Sequence, residues 1–234
     1  MIYPVKAEGL SFKFPGSQEF LFSNLDLAIR EGEVLAIMGL SGCGKTTLCY
    51  CLSGIIPLIK DGEVSGQVLL QGRPIARMTI PEVAGRLGIV FQKPDTQLFS
   101  PTVEDELAFG PENFGMEVAE IEQRITEVIE IVGIHELRDK NPKELSGGEK
   151  QLVAIASVLS LEPEILIFDE AMSQLDIKGT KRIKNLILKL KSEGKTIITV
   201  EHDPDNLEIA DRIFLMKSGQ LQELKNGFRR AYLG

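Results

Sequence analysis

The chain has 234 residues, is 43% hydrophobic and 26% charged, and carries a net charge of -8. This size and composition indicate a globular protein with one large core, and the negative charge argues against nucleic acid or anionic lipid as a partner. No apolar run approaches the roughly 20 residues that span a bilayer, and the first residues lack the basic start and apolar stretch of a signal peptide, so we expect a cytoplasmic protein.

The predicted elements begin with two strand-like segments, residues 5–14 and 20–29, separated by the turn at Pro15. Val34–Met38 is then a continuous apolar run, which is typical of a strand buried on both faces. Similar runs occupy residues 88–91, 165–168 and 196–200, and helix-like segments lie between them at residues 45–56, 117–132, 148–160 and 179–190. This alternation predicts an α/β fold with a mainly parallel sheet.

We expect a single domain over residues 1–234 with two parts that depart from the alternation. Residues 1–32 and 62–75 are predicted to form an antiparallel β subdomain. Residues 95–160, which are acidic and helix-patterned in their first part, are predicted to form a helical subdomain.

A glycine-rich segment follows the strand Val34–Met38 and precedes a helix-like segment. Gly39–Thr46 fits the phosphate-binding pattern G-x-x-x-x-G-K-[ST]. Glycines let backbone N–H groups wrap phosphate oxygens, and the next helix points its positive end there. Lys45 would reach the β- and γ-phosphates and Thr46 would bind Mg²⁺. The predicted nucleotide-binding residues are Gly39, Leu40, Ser41, Gly42, Cys43, Gly44, Lys45, Thr46 and Thr47.

Cys43, Cys49 and Cys51 cluster in and after this segment. An odd, clustered set far from His135 and His202 fits reduced thiols better than a disulfide framework or a metal site.

The segment Phe91–Pro101 (FQKPDTQLFSP) has neither strand nor helix periodicity. We interpret it as a surface loop that presents Leu98 and Phe99 as a contact surface. The alternative is an ordinary loop whose apolar residues fold back onto the helical subdomain.

Two further segments carry candidate chemistry. The apolar run ILIF ends in Asp169, placed to contact Mg²⁺, and Glu170, placed to activate a water molecule. Ser146 in LSGGE indicates a helix start whose bare N–H groups either serve as a plain cap or form a second phosphate-binding surface.

The order of these motifs resembles the ATPase subunits of ABC transporters. GLSGCGKTT resembles the Walker A loop, Gln92 resembles the Q-loop glutamine, and LSGGE resembles the signature motif. ILIFDE resembles the Walker B motif, SQLD with Asp176 resembles the D-loop, and His202 resembles the switch histidine. Phe14 lies where an aromatic residue of the family stacks on adenine, although it could equally be a core or turn residue.

The resemblance implies a P-loop NTPase of the ABC type with a RecA-like core, and a head-to-tail dimer with ATP between subunits. Glu170, His202, Lys45 and Gln92 would be catalytic, and Thr46, Gln92 and Asp169 would hold Mg²⁺. Ser146, Gly147, Gly148 and Glu149 would meet the partner's nucleotide in trans. The dimer would contain two copies of this chain or one copy and a paralogous ATPase.

Four positions depart from the commonest family pattern, namely Glu149, Leu152, Ala171 and Gln174. None removes a group from the inferred chemistry, but reduced turnover or pairing with a different ATPase stays open.

Residues 88–115 resemble a narrower group, the ATPases of energy-coupling factor importers for vitamins or cobalt and nickel. In that group the segment after the glutamine contacts a transmembrane coupling protein, which works with a substrate-binding membrane protein. Asp95, Gln97, Leu98 and Phe99 would form this docking surface, at the cytoplasmic face of the membrane.

Alternatives are an ATPase of another ABC importer or exporter, a soluble ABC-type ATPase, or a nucleotide-binding regulator without turnover. The separation of 101 positions between Lys45 and Ser146 leaves no room for the long coiled coil of chromosome-associated members. Glu170 and His202 are both present, which argues against a regulator that lost its catalytic groups.

Overall fold

Two β-sheets organise the structure, a computed structural model that describes residues 3–224. The strands are β1 (Val5–Lys13), β2 (Phe22–Ile29), β3 (Val34–Met38), β4 (Glu63–Leu70), β5 (Arg73–Pro74), β6 (Leu87–Val90), β7 (Ile165–Asp169), β8 (Thr196–Glu201), β9 (Arg212–Lys217) and β10 (Gln220–Glu223). One sheet is antiparallel, in the order β2-β1-β4-β5, and the other has the order β10-β9-β3-β8-β7-β6.

The second sheet is parallel except for its edge strand β10. Its register pairs Met38 with Glu201 and Asp169 with Val200. Since the carboxyl ends of parallel strands meet at one edge, the segments that follow β3, β7 and β8 are neighbours there. This edge therefore collects the glycine-rich loop, the Asp169–Glu170 pair and His202.

Within residues 3–224, seven α-helices surround the sheets. They are α1 (Lys45–Leu52), α2 (Ile55–Leu58), α3 (Ile80–Ala84), α4 (Val103–Asn113), α5 (Val118–Val132), α6 (Gly147–Leu159) and α7 (Ile177–Ser192). Helices α4, α5 and α6 contact one another and form a helical layer. In α5 the buried residues recur at helical spacing: Ile121, Ile125, Val128, Ile129 and Val132.

The parallel sheet separates two hydrophobic cores. Along β7, Leu166 and Phe168 face the core that contains α4–α7, whereas Ile165 and Ile167 face the core shared with α1 and the antiparallel sheet. This period of two is the geometry of a strand, and burial on both faces explains the unbroken apolar runs in the sequence.

The predicted fold class is confirmed, with one correction to an element. The predicted helix over residues 45–56 ends at Leu52, and α2 begins separately at Ile55. The break lies at Gly54, whose φ of +75° is left-handed and ends a helix. The observed antiparallel sheet draws strands from the two segments assigned to the β subdomain, while the subdomain boundaries themselves stay a prediction.

Close packing of β6 against α6 supplies a stability test. A Cβ at Gly88 would lie 2.2 Å from Cγ1 of Val158. Gly88→Ala is expected to lower the free energy of unfolding by about 1–3 kcal/mol, because the added methyl overpacks this contact. Urea denaturation measures it. In the double variant with Val158→Ala, the loss should be smaller than the sum of the single losses; full additivity would contradict this packing.

Candidate functional site

The glycine-rich segment between β3 and α1 forms a tight loop around the Lys45 side chain. Gly42 and Gly44 have φ of +78° and +105°, in the left-handed region that glycine tolerates. Lys45 is 4% exposed, and its ammonium donates to the carbonyls of Gly39 at 2.9 Å and Leu40 at 3.2 Å. Helix α1 begins with no side-chain cap, so its first N–H groups have no side-chain acceptor. Such an end is suited to an anion.

The Glu170 carboxylate faces this loop and is held by three side chains. Its Oε1 lies 3.4 Å from Nζ of Lys45, and its Oε2 accepts a hydrogen bond from Nε2 of Gln92 at 2.9 Å. Nδ1 of His202 lies 3.6 Å from the same Oε2. The structure thus brings four of the predicted site residues, from four segments of the chain, to one point.

Backbone strain accompanies this convergence. Glu170 has a φ of 51°, which is unusual for a residue other than glycine and costs about 1–3 kcal/mol. Its N–H donates to the Val200 carbonyl at 3.1 Å, which fixes the turn after β7. The carboxylate is therefore aimed by the neighbouring strand.

Asp169 and Thr46 form an oxygen pair beside Glu170. Thr46 Oγ1 donates to Asp169 Oδ1 at 3.1 Å, and Asp169 is 2% exposed. Burial raises the pKa of Asp169 to about 6, opposed by the Thr46 hydrogen bond, while the nearby Glu170 charge raises it further. Oxygen ligands of this kind suit Mg²⁺. Within residues 3–224 no group of three or more His, Cys, Asp or Glu could hold a metal ion.

A cleft of about 330 Å³ opens over the loop. Its lining residues are Phe14, Leu21, Ser41, Gly42, Gly44, Lys45, Thr46, Thr47, Gln92 and Glu170. The Phe14 ring is 52% exposed and packs edge-on against Phe12, with centroids 5.1 Å apart. The structure therefore brings Phe14 to the cleft as a ring with a free surface, and stacking on a purine stays a prediction.

The signature residues do not line this cleft in the described part of the chain. Ser146 is the N-cap of α6 in a capping box: its hydroxyl accepts from the Glu149 N–H at 3.4 Å. The Glu149 carboxylate accepts from the Ser146 N–H at 2.8 Å and hydroxyl at 2.7 Å, and these bonds lower its pKa. Asp176 similarly caps α7 by accepting from the Gly179 N–H at 2.7 Å.

The segment Phe91–Pro101 presents one aromatic pair to solvent. Phe99 is 61% exposed and packs edge-to-face on Phe109, which is 47% exposed, with ring centroids 4.7 Å apart. Leu98 differs from our expectation, because it is half-buried and packs against the helical core. Its N–H bonds to the Pro94 carbonyl at 3.0 Å, which closes a turn within the segment.

The same segment is fastened to α4 by a buried carboxylate. Glu106, 4% exposed, accepts from the N–H groups of Phe99 at 2.9 Å and Ser100 at 2.8 Å. Sequence reasoning missed both Glu106 and Phe109, since helical spacing on α4 does not reveal which side chains turn towards the preceding loop.

Helix α6 holds the segment from the other side. Asp95 pairs with Lys150 at 2.7 Å. The Gln97 side chain accepts from the Phe91 N–H at 3.3 Å and donates to the Ala154 carbonyl at 3.4 Å. Gln97 therefore binds the loop to the helix that begins at the signature residues.

Residues 22–173 match the protein family described as "ABC transporter". The matched segment contains the phosphate loop, Gln92, the signature residues and the Asp169–Glu170 pair. The chain belongs to this family. It is an ATP-binding protein of the ABC ATPase type, and no described helix within residues 3–224 is long and apolar enough to cross a membrane.

Curated relatives include both general and specialised ABC proteins. A putative ABC transporter ATP-binding protein of Pyrococcus horikoshii is 43% identical over 93% of this chain and 77% of its own length. The energy-coupling factor transporter ATP-binding protein EcfA of Methanocaldococcus jannaschii is 37% identical over 97% of this chain and 79% of its own length. This chain spans 37% of the length of a related ATP-binding protein of Methanosarcina mazei, to which it is 40% identical over 93% of this chain.

Solved structures agree with the fold. CbiO1 from Clostridium perfringens, described as part of the ABC transporter complex cbiONQ, superimposes with a TM-score of 0.88 at 34% identity, covering 100% of this chain and 93% of the other. The ATP-binding cassette MJ0796 was solved as a dimer in a post-hydrolysis state with ADP and Pi. It superimposes with a TM-score of 0.82 at 27% identity, covering 94% of this chain and 98% of the other.

The raised pKa of Asp169 predicts a pH-dependent cost to stability. The folded protein keeps the proton up to about pH 6, whereas the unfolded chain releases it near the ordinary value of 3.8. Above pH 6 the whole free-energy cost of the buried, ionised carboxylate is therefore present, and this cost falls as the pH drops from 6 towards 4.

Asp169→Asn removes the charge and can keep the hydrogen bond to Thr46. We expect it to raise the free energy of unfolding without nucleotide by up to about 3 kcal/mol at pH 8 and by about half as much at pH 5. Urea titrations at both values measure this, with Asp61→Asn at an exposed position as the control. A gain that grows as the pH falls would contradict the assignment.

Proposed function

We propose that this chain is the ATP-binding and ATP-hydrolysing subunit of an energy-coupling factor importer, which takes up a vitamin or a transition-metal ion. The observation that carries the proposal is the Glu170 carboxylate, which meets Lys45, Gln92 and His202 beside a loop suited to phosphate. The similarity to EcfA and to CbiO1 supports the importer type.

ATP would place its phosphates against the backbone of the loop from Gly39 to Thr47 and its purine beside Phe14. Thr46, Asp169 and the side-chain carbonyl of Gln92 would hold Mg²⁺. The fit rests on the oxygen atoms of Thr46 and Asp169, which are 3.1 Å apart at the loop. Bound there, Mg²⁺ supplies positive charge to the phosphate oxygens.

Hydrolysis would use Glu170 as the general base. Its carboxylate takes a proton from the water that attacks the γ-phosphorus, and ADP and phosphate are the products. Gln92 and His202, which approach Oε2, orient that carboxylate and the water. Lys45 lies close enough to neutralise negative charge on the β- and γ-phosphates.

The active form would be a dimer in which each signature segment completes the partner's site. In a single chain Ser146, Gly147, Gly148 and Glu149 lie away from the phosphate-loop cleft, and the related cassette MJ0796 with ADP and Pi is dimeric. Asp176 in the D-loop would lie at the same interface. The second subunit would be a copy of this chain or a paralogous ATPase.

The segment Phe91–Pro101 would dock on a transmembrane coupling protein, which in turn holds a substrate-binding membrane protein. The exposed Phe99–Phe109 pair would supply an aromatic anchor, and Asp95 lines the same small cavity as Phe99. Because Asp95 binds Lys150 and Gln97 binds the Ala154 carbonyl, a displacement of the docking segment would be passed to α6, the helix that begins at the signature residues. The protein would thus lie at the cytoplasmic face of the membrane, held there by its partners.

An ATPase of another ABC importer or exporter is the second candidate. It is favoured by the relatives from Pyrococcus and Methanosarcina, which are named as general ABC transporter ATP-binding proteins. The two candidates differ in which membrane protein the docking segment contacts.

Co-purification tests the proposal. A tagged Glu170→Gln variant keeps the shape of the site but removes the base, so it should retain ATP and the closed dimer. Purified from detergent-solubilised membranes of the source organism with ATP and Mg²⁺, it should carry a coupling protein and a small substrate-binding membrane protein. Recovery of transmembrane domains of another ABC class would favour the second candidate, and soluble proteins alone would overturn both.

A matched pair of variants tests the docking surface in the same experiment. Phe99→Ser combined with Phe109→Ser should reduce recovery of the membrane proteins about tenfold or more, because it removes the aromatic anchor. Phe20→Ser should leave recovery unchanged, because Phe20 is exposed to a similar degree, 52%, but lies between β1 and β2. Equal recovery with all variants would exclude this surface.

A further inference from the structure

A buried carboxyl group lies directly before the switch histidine. Glu201 is the last residue of β8 and is 0% exposed. Along this strand Ile198 and Val200 belong to the core shared with α1, whereas Ile197 belongs to the core that contains α7. Since side chains alternate along a strand, Glu201 shares the face of Ile197. It therefore lies across the sheet from the helix that follows the phosphate loop, and the hydrolysis described above does not use it.

Two hydrogen bonds connect Glu201 to its surroundings. One oxygen accepts from Oγ1 of Thr199 at 3.2 Å, and the other accepts from Nδ2 of Asn206 at 3.1 Å. Thr199 is 0% exposed and Asn206 is 5% exposed, so both donors are buried together with the carboxyl group. Within the described contacts the carboxyl group thus joins the end of β8 to the segment Pro204–Ile209.

This connection closes the segment of backbone that carries His202, whose side chain is half-exposed. The chain leaves the sheet at Glu201 and returns to the same carboxyl group at Asn206, so His202 and Asp203 lie in a short loop closed at both ends. The loop is closed further by the Asn206 N–H, which donates to the Asp203 carbonyl at 3.1 Å, and by the Asp205 N–H, which donates to the Asp203 side chain at 3.0 Å.

The buried carboxyl group is costly to hold in this place. Burial raises the pKa of Glu201 to about 7, the bonds from Asn206 and Thr199 oppose that rise, and the charges of Glu170 and Asp203 add to it. An apolar side chain of similar size would avoid the desolvation cost. What it could not supply is the link between β8 and Asn206.

We propose that Glu201 is a positioning residue for ATP hydrolysis: it closes the loop that carries His202 and so keeps the imidazole against the Glu170 carboxylate. This rests on the proposed hydrolytic function. Glu201 acts through His202 and does not touch the nucleotide. The distance that it controls is the 3.6 Å between Nδ1 of His202 and Oε2 of Glu170.

Two substitutions of Glu201 distinguish the effect of its hydrogen bonds from the effect of its side-chain volume. Glu201→Leu fills a similar space but leaves the Asn206 amide and the Thr199 hydroxyl without an acceptor. We expect kcat for ATP to fall by about 10- to 100-fold, as for a misplaced catalytic group, with KM changed less than about twofold because phosphate and base contacts are untouched. Glu201→Gln can accept from Asn206 and donate to Thr199, and should keep kcat within about threefold of the wild type.

A second readout needs no turnover. In the nucleotide-free protein, hydrogen exchange at the backbone N–H of Asn206, which donates to the Asp203 carbonyl, should be faster in Glu201→Leu than in the wild type. In Glu201→Gln it should match the wild type. This measures closure of the loop itself, independently of the ATPase assay. Unchanged exchange in Glu201→Leu would overturn the proposal.

The His202→Ala background distinguishes positioning from general stability. If Glu201 acts through His202, adding Glu201→Leu to His202→Ala should change kcat less than about twofold. An equal loss in both backgrounds would show a role unrelated to the histidine and overturn the proposal. If Glu201→Leu does not fold, Asn206→Leu breaks the same link and takes its place in the cycle.

The outcomes also separate this inference from the proposed function. A wild-type protein that hydrolyses ATP, with Glu201 variants that match it in kcat and exchange, would overturn the positioning role alone. A wild-type protein that binds no ATP and hydrolyses none would overturn both.

Discussion

The parallel pairing of β3, β8 and β7 is the constraint on which the site depends. Because these strands run in one direction and in fixed register, their carboxyl ends deliver the phosphate loop, His202 and Glu170 to the same edge of the sheet. The left-handed backbone of Glu170 then turns its carboxylate towards Lys45 and Gln92. The Glu170 N–H donates to the Val200 carbonyl of the neighbouring strand, so the strained residue is already oriented before substrate arrives, which favours catalysis.

The N-termini of α1 and α6 differ in whether a side chain caps them. Helix α1 begins without a side-chain cap, so its positive end is open to phosphate. Helix α6 begins with a complete capping box in which the Glu149 carboxylate already takes the Ser146 N–H and hydroxyl. Any anion that approaches α6 would therefore meet a carboxylate, and the amides of Gly147 and Gly148 would have to provide the contact. In the proposed dimer, Glu149 would therefore lie between the Ser146 N–H and a nucleotide bound by the partner subunit.

Much of this could be predicted from the sequence, for physical reasons that differ between elements. The strands β3, β7 and β8 are buried on both faces and show up as unbroken apolar runs, and the phosphate loop needs glycine at Gly42 and Gly44, where φ is positive. The burial of Leu98 and the roles of Glu106, Phe109 and Glu201 could not be predicted in this way. Glu106 and Phe109 lie within α4 and Glu201 lies within β8, so periodicity can assign their faces. It does not show which groups of the neighbouring segments they contact.

Sedimentation velocity of the Glu170→Gln variant is the most direct test of the proposed mechanism. In that mechanism ATP brings two subunits together, and Glu170 acts as the general base on the ATP bound between them. With ATP and Mg²⁺ the variant should sediment as a dimer, and with ADP or with an added Lys45→Ala substitution it should sediment as a monomer. A variant that binds ATP and stays monomeric at every concentration, or that forms the same dimer without nucleotide, would contradict the account.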